Sequence, residues 1–355
     1  MAHPVATDSH LRLSGQPLGW YALAFTDELG VGKVLRRRLM NQELVVFRTE
    51  SGVPVVLDGY CPHLGAHLGE GGTVVGEQIR CPFHSLGFAA DGRCAHSPYA
   101  NQTPPKLSTR SWPVRELHGV LLVYSDPQPA SEPAWEIKPV EPEHAALDWS
   151  KPAGRLWRIR THPQEIIENT VDVGHFGAVH GYESIEVTDG MKADGPHLTM
   201  SYTVTRDRGL LGKYDPSRLR FRLDINASGV GYSRVQVSGL PIRLRTVVMP
   251  TPVDDEITEV RVITQVAVVP RREHWAARLL PRQWLADRAA QIVAKEMGRD
   301  FAADIRIWEN KRYQDPPRLV AGDGPIGPYR RWARQFYRET TGTRSARLNV
   351  AGEKA

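Results

Sequence analysis

The chain has 355 residues, is 41% hydrophobic, and carries 45 Lys and Arg against 40 Asp and Glu, a formal net charge of +5. That charge is small and spread along the sequence, which excludes a basic stripe for nucleic acid and suits at most an acidic protein partner. No apolar stretch approaches the roughly 20 residues of a membrane-spanning helix. Met1 to Gly15 is polar and lacks an apolar signal core, so a soluble cytoplasmic protein is expected. Three cysteines exclude a disulfide framework as the organising principle.

The first strongly patterned region is β-rich. Leu44–Thr49 and Val53–Leu57 read as a hairpin across Glu50-Ser51-Gly52. Thr73–Val75, Gln78–Arg80 and Val120–Tyr124 read as further short strands. Between them lie Cys61-Pro62-His63 and, 17 residues later, Cys81-Pro82-Phe83-His84. Two cysteines and two histidines suit a zinc ion. They also suit a Rieske [2Fe–2S] cluster, in which two thiolates hold one iron and two imidazoles the other. Each motif supplies one sulfur and one nitrogen, and each has a proline after its cysteine that stiffens the loop. Zinc fingers more often pair Cys with Cys and His with His. Cys94 is left as a structural or free thiol, and His67 and His96 as neighbours of the loops rather than ligands. The stretch from Asp126 to Pro133 is proline-rich and polar, a linker.

More than 200 residues follow, too many for an electron carrier alone. They open on Glu168, Asp172, His175 and His180, spaced E-x3-D-x2-H-x4-H. On one helix, Glu168, Asp172 and His175 share a face, with His180 just beyond, where Gly177 and Gly181 loosen the helix. Two histidines and a carboxylate leave an Fe(II) positions open for dioxygen and substrate. Leu219–Leu223, Arg234–Val237 and Glu259–Val266 alternate apolar and polar residues and read as antiparallel strands with one buried face. Phe221, Leu223, Val235, Val237, Val260 and Val262 are apolar positions from which a pocket or a plain core is built. A long helical pattern runs from Gln283 to Trp308 and carries Asp300 and Asp304 one turn apart. Either supplies the missing carboxylate.

Cys61-Pro-His-Leu-Gly-Ala66 and Cys81-Pro-Phe-His-Ser-Leu-Gly87 resemble the two cluster loops of Rieske-type non-haem iron oxygenases, and Glu168–His180 resembles their mononuclear-iron motif. Respiratory Rieske proteins carry an extra cysteine in each loop, where this chain has Ala66 and Phe83. The segments Asp304–Tyr313, Asp323–Ile326 and Arg330–Tyr337, together with Asn169, resemble the branch holding the oxygenase component of 3-ketosteroid 9α-hydroxylase and the cholesterol 7-desaturase (Neverland) group. The resemblance implies an α+β architecture, with a β-rich Rieske domain and a helix-grip catalytic domain whose antiparallel sheet wraps around the iron-bearing helices. It implies an N-terminal segment at 1–16, the Rieske domain at 17–125, a linker at 126–135, the catalytic domain at 136–338 and a polar tail at 339–355.

It further implies a cluster on Cys61, His63, Cys81 and His84, and iron on His175, His180 and Asp304, with Asp300 as the alternative. Asp172 is then the residue that links the two centres. Electrons come from NAD(P)H through a separate ferredoxin or ferredoxin reductase, because the chain has no G-x-G-x-x-G fingerprint of its own. The assembly implied is a head-to-tail homotrimer, and the reaction is monooxygenation of a bulky apolar sterol or steroid. Small aromatic acids are the alternative substrates. An electron-transfer protein and a zinc-binding protein are the alternatives of other classes.

Overall fold

The computed structural model describes residues 13, 15–99, 106–127, 132–140, 147–206, 219–240, 242–268 and 282–337. Residues 1–12 and 14 of the expected N-terminal segment 1–16, residues 128–131 of the linker and the tail at 339–355 lie outside the described residues. Among those described, no helix is long and apolar enough to cross a membrane.

The described residues of the N-terminal part form ten strands: β1 (Gly19–Phe25), β2 (Val34–Leu39), β3 (Gln42–Arg48), β4 (Pro54–Asp58), β5 (Thr73–Val75), β6 (Gln78–Arg80), β7 (Gly87–Ala89), β8 (Cys94–His96), β9 (Val114–Leu117) and β10 (Val120–Ser125). They form three antiparallel sheets in the orders β1-β10-β9, β2-β3-β4 and β5-β6-β7-β8. The expected hairpin is β3–β4, in register from Leu44 opposite Asp58 to Arg48 opposite Pro54. The short loop has a simple reason: Gly52 adopts φ +92°, which a residue without Cβ reaches freely. Val45, Phe47, Val55 and Leu57 share a core with Cys61 and Cys81, so the thiols sit at the floor of this region.

The remaining strands are β11 (Ala153–Arg160), β12 (Tyr182–Asp194), β13 (His197–Arg206), β14 (Leu219–Ser228), β15 (Ser233–Ser238), β16 (Ile242–Pro252) and β17 (Ile257–Val268). They form one antiparallel sheet in the order β11-β17-β16-β15-β14-β13-β12. Among the described residues four α-helices accompany it: α1 (Pro163–Glu168), α2 (Gly174–Ala178), α3 (Arg282–Trp308) and α4 (Ile326–Ala333). The long helix α3 lies on β17 and β11. The architecture is α+β, as expected.

Alternation along these strands suggests one buried face, but β15, β16 and β17 bury both. Arg234, Gln236, Arg245, Arg261 and Gln265 are all buried. Three of them, Arg234, Arg261 and Gln265, donate to main chain from segments lying across the outer face, and Arg245 donates to the Gln265 side chain. Arg261 Nη1 donates to the Ala22 carbonyl at 3.0 Å, and Gln265 Nε2 donates to the Ser150 carbonyl at 3.0 Å. Arg234 donates to the carbonyls of Lys138 and Pro139. A polar residue whose hydrogen bond is satisfied can be buried at little net cost. The pattern therefore marks a covered face as readily as a wet one.

Two histidines, His162 buried and His118 half-buried, should make this fold acid-sensitive. Burial, reinforced by the charges of Arg245 and Arg234, pushes His118 down to about 3. Burial pushes His162 down to about 4. Both imidazoles are neutral in the folded chain, while the unfolded chain takes up protons below about pH 6.5. Their contribution is therefore intact above about pH 6.5 and is lost as pH falls towards the folded values, at about 1.4 kcal/mol per pH unit for each. Urea unfolding at about pH 7.5 and pH 5.5 should show a loss of roughly 1 kcal/mol or more per histidine. His118→Gln should remove its share of that loss, and an unchanged pH slope in this variant would refute the assignment.

Candidate functional site

The two cluster loops are built on the same turn. In the first, Cys61 N donates to the Ala66 carbonyl at 2.8 Å and Gly65 N donates to the Cys61 carbonyl at 2.9 Å. In the second, Cys81 N donates to the Leu86 carbonyl at 2.8 Å and Ser85 N donates to the Cys81 carbonyl at 3.0 Å. The fifth residue of each turn is left-handed, Gly65 at φ +78° and Ser85 at φ +55°. Burial divides each loop. Cys61 and Cys81 are 2% and 3% exposed, whereas His63 is exposed and His84 half-buried. The Cys81 thiol lies within hydrogen-bonding reach of Cys61, and burial pushes Cys61 up to about 11. The His63 and His84 rings sit edge to face with centroids 4.9 Å apart.

Two sulfurs inside and two imidazoles above them match the asymmetry of a Rieske cluster, whose two irons take unlike ligands. His67 and His96 stand apart from this set. His67 Nδ1 accepts from Gly69 N, and its Nε2 lies 3.4 Å from Glu43. Cys94 is buried in the same core, with Sγ 3.4 Å from the His96 carbonyl.

The second site stands where α1, α2 and α3 meet the sheet. His175, His180 and Asp304 each offer a ligand atom, all within 4.8 Å of one another. His175 Nδ1 is 2.6 Å from the Asp172 carbonyl, which leaves Nε2 as the free nitrogen. His180 Nε2 lies 3.4 Å from Asp304 Oδ2, and its Nδ1 is buried with no partner. Two imidazoles and one carboxylate at these separations fit a mononuclear iron with open positions. Asp172 is half-exposed and its Oδ1 accepts from His175 N at 3.2 Å. Asp300, the alternative third ligand, is engaged elsewhere: both its oxygens accept from Arg206, at 3.0 Å each.

The single helix expected over Glu168–His180 is instead two helices, α1 and α2, with a break over Asn169–Val173. Glu168 is not among the three donors. Its carboxylate is buried against Arg330, whose Nε and Nη2 donate at 2.7 and 2.9 Å. The cause of the break is tertiary. Val173 N donates to the Asp323 carbonyl rather than back along a helix. At Gly324, φ +88°, a Cβ would fall 2.2 Å from the Val171 carbonyl oxygen, so only glycine allows that approach. Gly181 does end the segment as expected, at φ +67°.

An apolar cavity of about 230 Å³ opens beside the three donors and has His175 and Asp304 in its wall. Phe221, Leu223, Val235 and Val237 line it, as the alternation suggested. Val260 and Val262 do not; they pack with Ile159, Ile166 and Trp308 in a separate core. Arg206, at the end of β13, also lines the cavity; no motif in the sequence singles it out.

The Rieske [2Fe-2S] domain model matches residues 19–113, and the 3-ketosteroid 9alpha-hydroxylase C-terminal domain model matches residues 123–337. The chain is 32% identical over 345 residues to cholesterol 7-desaturase nvd of Bombyx mori, covering 91% of this chain and 70% of that protein. It is 31% identical over 346 residues to a probable 3-ketosteroid-9-alpha-monooxygenase oxygenase component of Rhodococcus rhodochrous, covering 93% and 82%. In fold it resembles dicamba monooxygenase, with TM-score 0.61, 21% identity, and 90% and 96% of the two chains covered.

The Glu168–Arg330 pair yields a stability test. Arg330→Met leaves a buried carboxylate unpaired and should cost about 3–5 kcal/mol. The double replacement Glu168→Met with Arg330→Met should recover most of that loss, as read by urea unfolding. Equal destabilisation of the single and double variants would show that the pair is not coupled.

Proposed function

We propose the reaction of this chain as a member of its family: it belongs to the Rieske oxygenases whose C-terminal domain is that of 3-ketosteroid 9α-hydroxylase. It is a Rieske-type monooxygenase with a [2Fe–2S] cluster and a mononuclear iron, an oxygenase component supplied with electrons by a separate reductase. Its substrate is a bulky, largely apolar polycycle of the sterol or steroid class, which it hydroxylates on a ring or oxidises at a methyl group. The observation that carries this reading is the apolar cavity with His175 and Asp304 in its wall. Such a cavity buries a hydrophobic ligand against the reacting centre while a few polar groups orient it.

Cys61, Cys81, His63 and His84 hold the cluster, and His175, His180 and Asp304 hold the iron. Bound there, the metals supply electron delivery and dioxygen activation, so that one oxygen atom enters the substrate and the other leaves as water. The Asp172 carbonyl fixes the His175 ring by accepting from Nδ1–H, as outer partners of metal-binding histidines do. Phe176, packed against the His175 ring with centroids 4.3 Å apart, limits its rotation and helps exclude water.

The half-exposed Asp172 carboxylate is available to a histidine of another copy, His63 or His84. We place it there in a head-to-tail homotrimer, an arrangement that closes when the rotation between copies permits.

Metal analysis should find three irons per chain, two with labile sulfide, and a Rieske-type paramagnetic signal on reduction. His84→Ala should lose the cluster and His180→Ala the mononuclear iron. Stoichiometric zinc without sulfide would end this reading. Asp172→Asn should keep all the iron yet lose at least about tenfold in turnover; normal turnover in this variant, or a fully active monomer, would refute the link. With a competent reductase, sterols, ketosteroids and small aromatic acids should be screened in parallel. Product from the acids alone would refute the polycyclic substrate and leave the oxygenase assignment standing.

A further inference from the structure

The cavity beside His175 and Asp304 is apolar apart from a few groups, and one of them is an ion pair. Arg206, at the end of β13, and Asp300, on α3, face each other across its wall. Arg206 Nη1 and Nη2 each reach Asp300 at 3.0 Å, and the two side chains are 27% and 22% exposed. The Tyr182 ring lies under the guanidinium, with its centroid 5.6 Å away, and holds it in place. Burial works against the charge on Arg206, and the Asp300 carboxylate outweighs it.

A part-buried ion pair adds little net stability over apolar residues of the same size. An apolar-binding wall has no structural need of one. Asp300 lies one helical turn from Asp304, so the pair sits about 6 Å along α3 from the iron-binding carboxylate. That places a polar anchor within the length of a polycyclic ligand whose other end is at the reacting centre.

We infer that the Arg206–Asp300 pair selects a neutral hydroxyl group carried by the polycyclic substrate, at a position remote from the carbon oxidised. The inference rests on the proposed function and narrows its substrate class to polycyclic alcohols. The chemistry follows from what the pair leaves free. The fork of Arg206 is occupied by Asp300, and its Nε–H is donated to none of the described residues. The carboxylate retains lone pairs that accept a substrate O–H, while the remaining guanidinium N–H groups donate to a substrate oxygen.

A ketone accepts but cannot donate, so it uses only half of this anchor. A substrate carboxylate finds the fork taken and a like charge beside it, with Glu296 one turn further along the same helix wall. An acid is therefore rejected where an alcohol is held. A hydrocarbon leaves the pair to lose its hydration with nothing in return, which disfavours it as well.

Equilibrium dialysis of the holoenzyme tests this without turnover, using one polycyclic skeleton as its alcohol, ketone, deoxy and carboxylic acid forms. The alcohol should bind about tenfold or more tighter than the deoxy and acid forms, the range expected for a hydrogen bond to a charged group. Asp300→Asn should narrow the preference for alcohol over ketone, since an amide both donates and accepts. The double variant Arg206→Met with Asp300→Met should keep its iron, bind the deoxy form at least as tightly as the parent enzyme does, and show no preference for the alcohol. Equal affinity for alcohol and deoxy forms in the parent enzyme, or a preference that survives in the double variant, would overturn the inference. If polycycles bind and are oxidised regardless of the hydroxyl, only this inference falls. If no polycycle binds while a small aromatic acid does, the proposed function falls with it.

Discussion

Gly324 approaches the Val171 carbonyl so closely that no side chain fits between them, and its neighbour Asp323 takes the Val173 N–H. This contact interrupts what would otherwise be one helix from Pro163 to Ala178. Without the interruption, Glu168 and His175 would lie on one stripe and the buried carboxylate would be aimed towards the metal. With it, Glu168 turns to Arg330, and the short helix α2 and the turn after it bring His175 and His180 to Asp304. The three donors meet because two segments about 150 residues apart in the chain are locked together there.

The same lock continues outward. Tyr329 Oη donates to the Gln164 carbonyl at 2.7 Å, and Lys311 Nζ lies 3.0 Å from Glu165 Oε1. Burial raises the Glu165 carboxyl above its ordinary value, and Lys311 opposes that shift. A helix of only six residues is marginal by itself. Every residue of α1 is buried, so its stability comes from packing and from these polar ties rather than from its own hydrogen bonds. The rigidity needed to hold two imidazoles in place is thus drawn from α4 and the segment before it.

The cluster loops follow a different logic. Their geometry is local: two six-residue turns with matching backbone hydrogen bonds and a left-handed residue at the same position. They need the surrounding sheets only as a floor for the thiols. That difference explains why one site was easier to read than the other.

Local chemistry was legible in the sequence. The C-x-H and C-x-x-H loops, the hairpin at Glu50–Gly52, the alternating strands and the long helix ending at Trp308 all depend on residues near one another in the chain. So does the pairing of His175 with His180 across a four-residue gap. Tertiary structure decided the rest. Spacing alone left Asp300 and Asp304 equivalent on one helix face; Arg206, from a distant strand, took the first and left the second to the histidines. Val260 and Val262 alternate as Phe221 and Leu223 do, yet α3 covers the former and the cavity opens on the latter. Arg261 and Gln265 read as solvent-facing, and became buried because carbonyls at Ala22 and Ser150 lie across them. Periodicity reports which residues share a face. What covers that face depends on segments far away in the chain, whose approach is set by packing and by hydrogen bonds that no local pattern encodes.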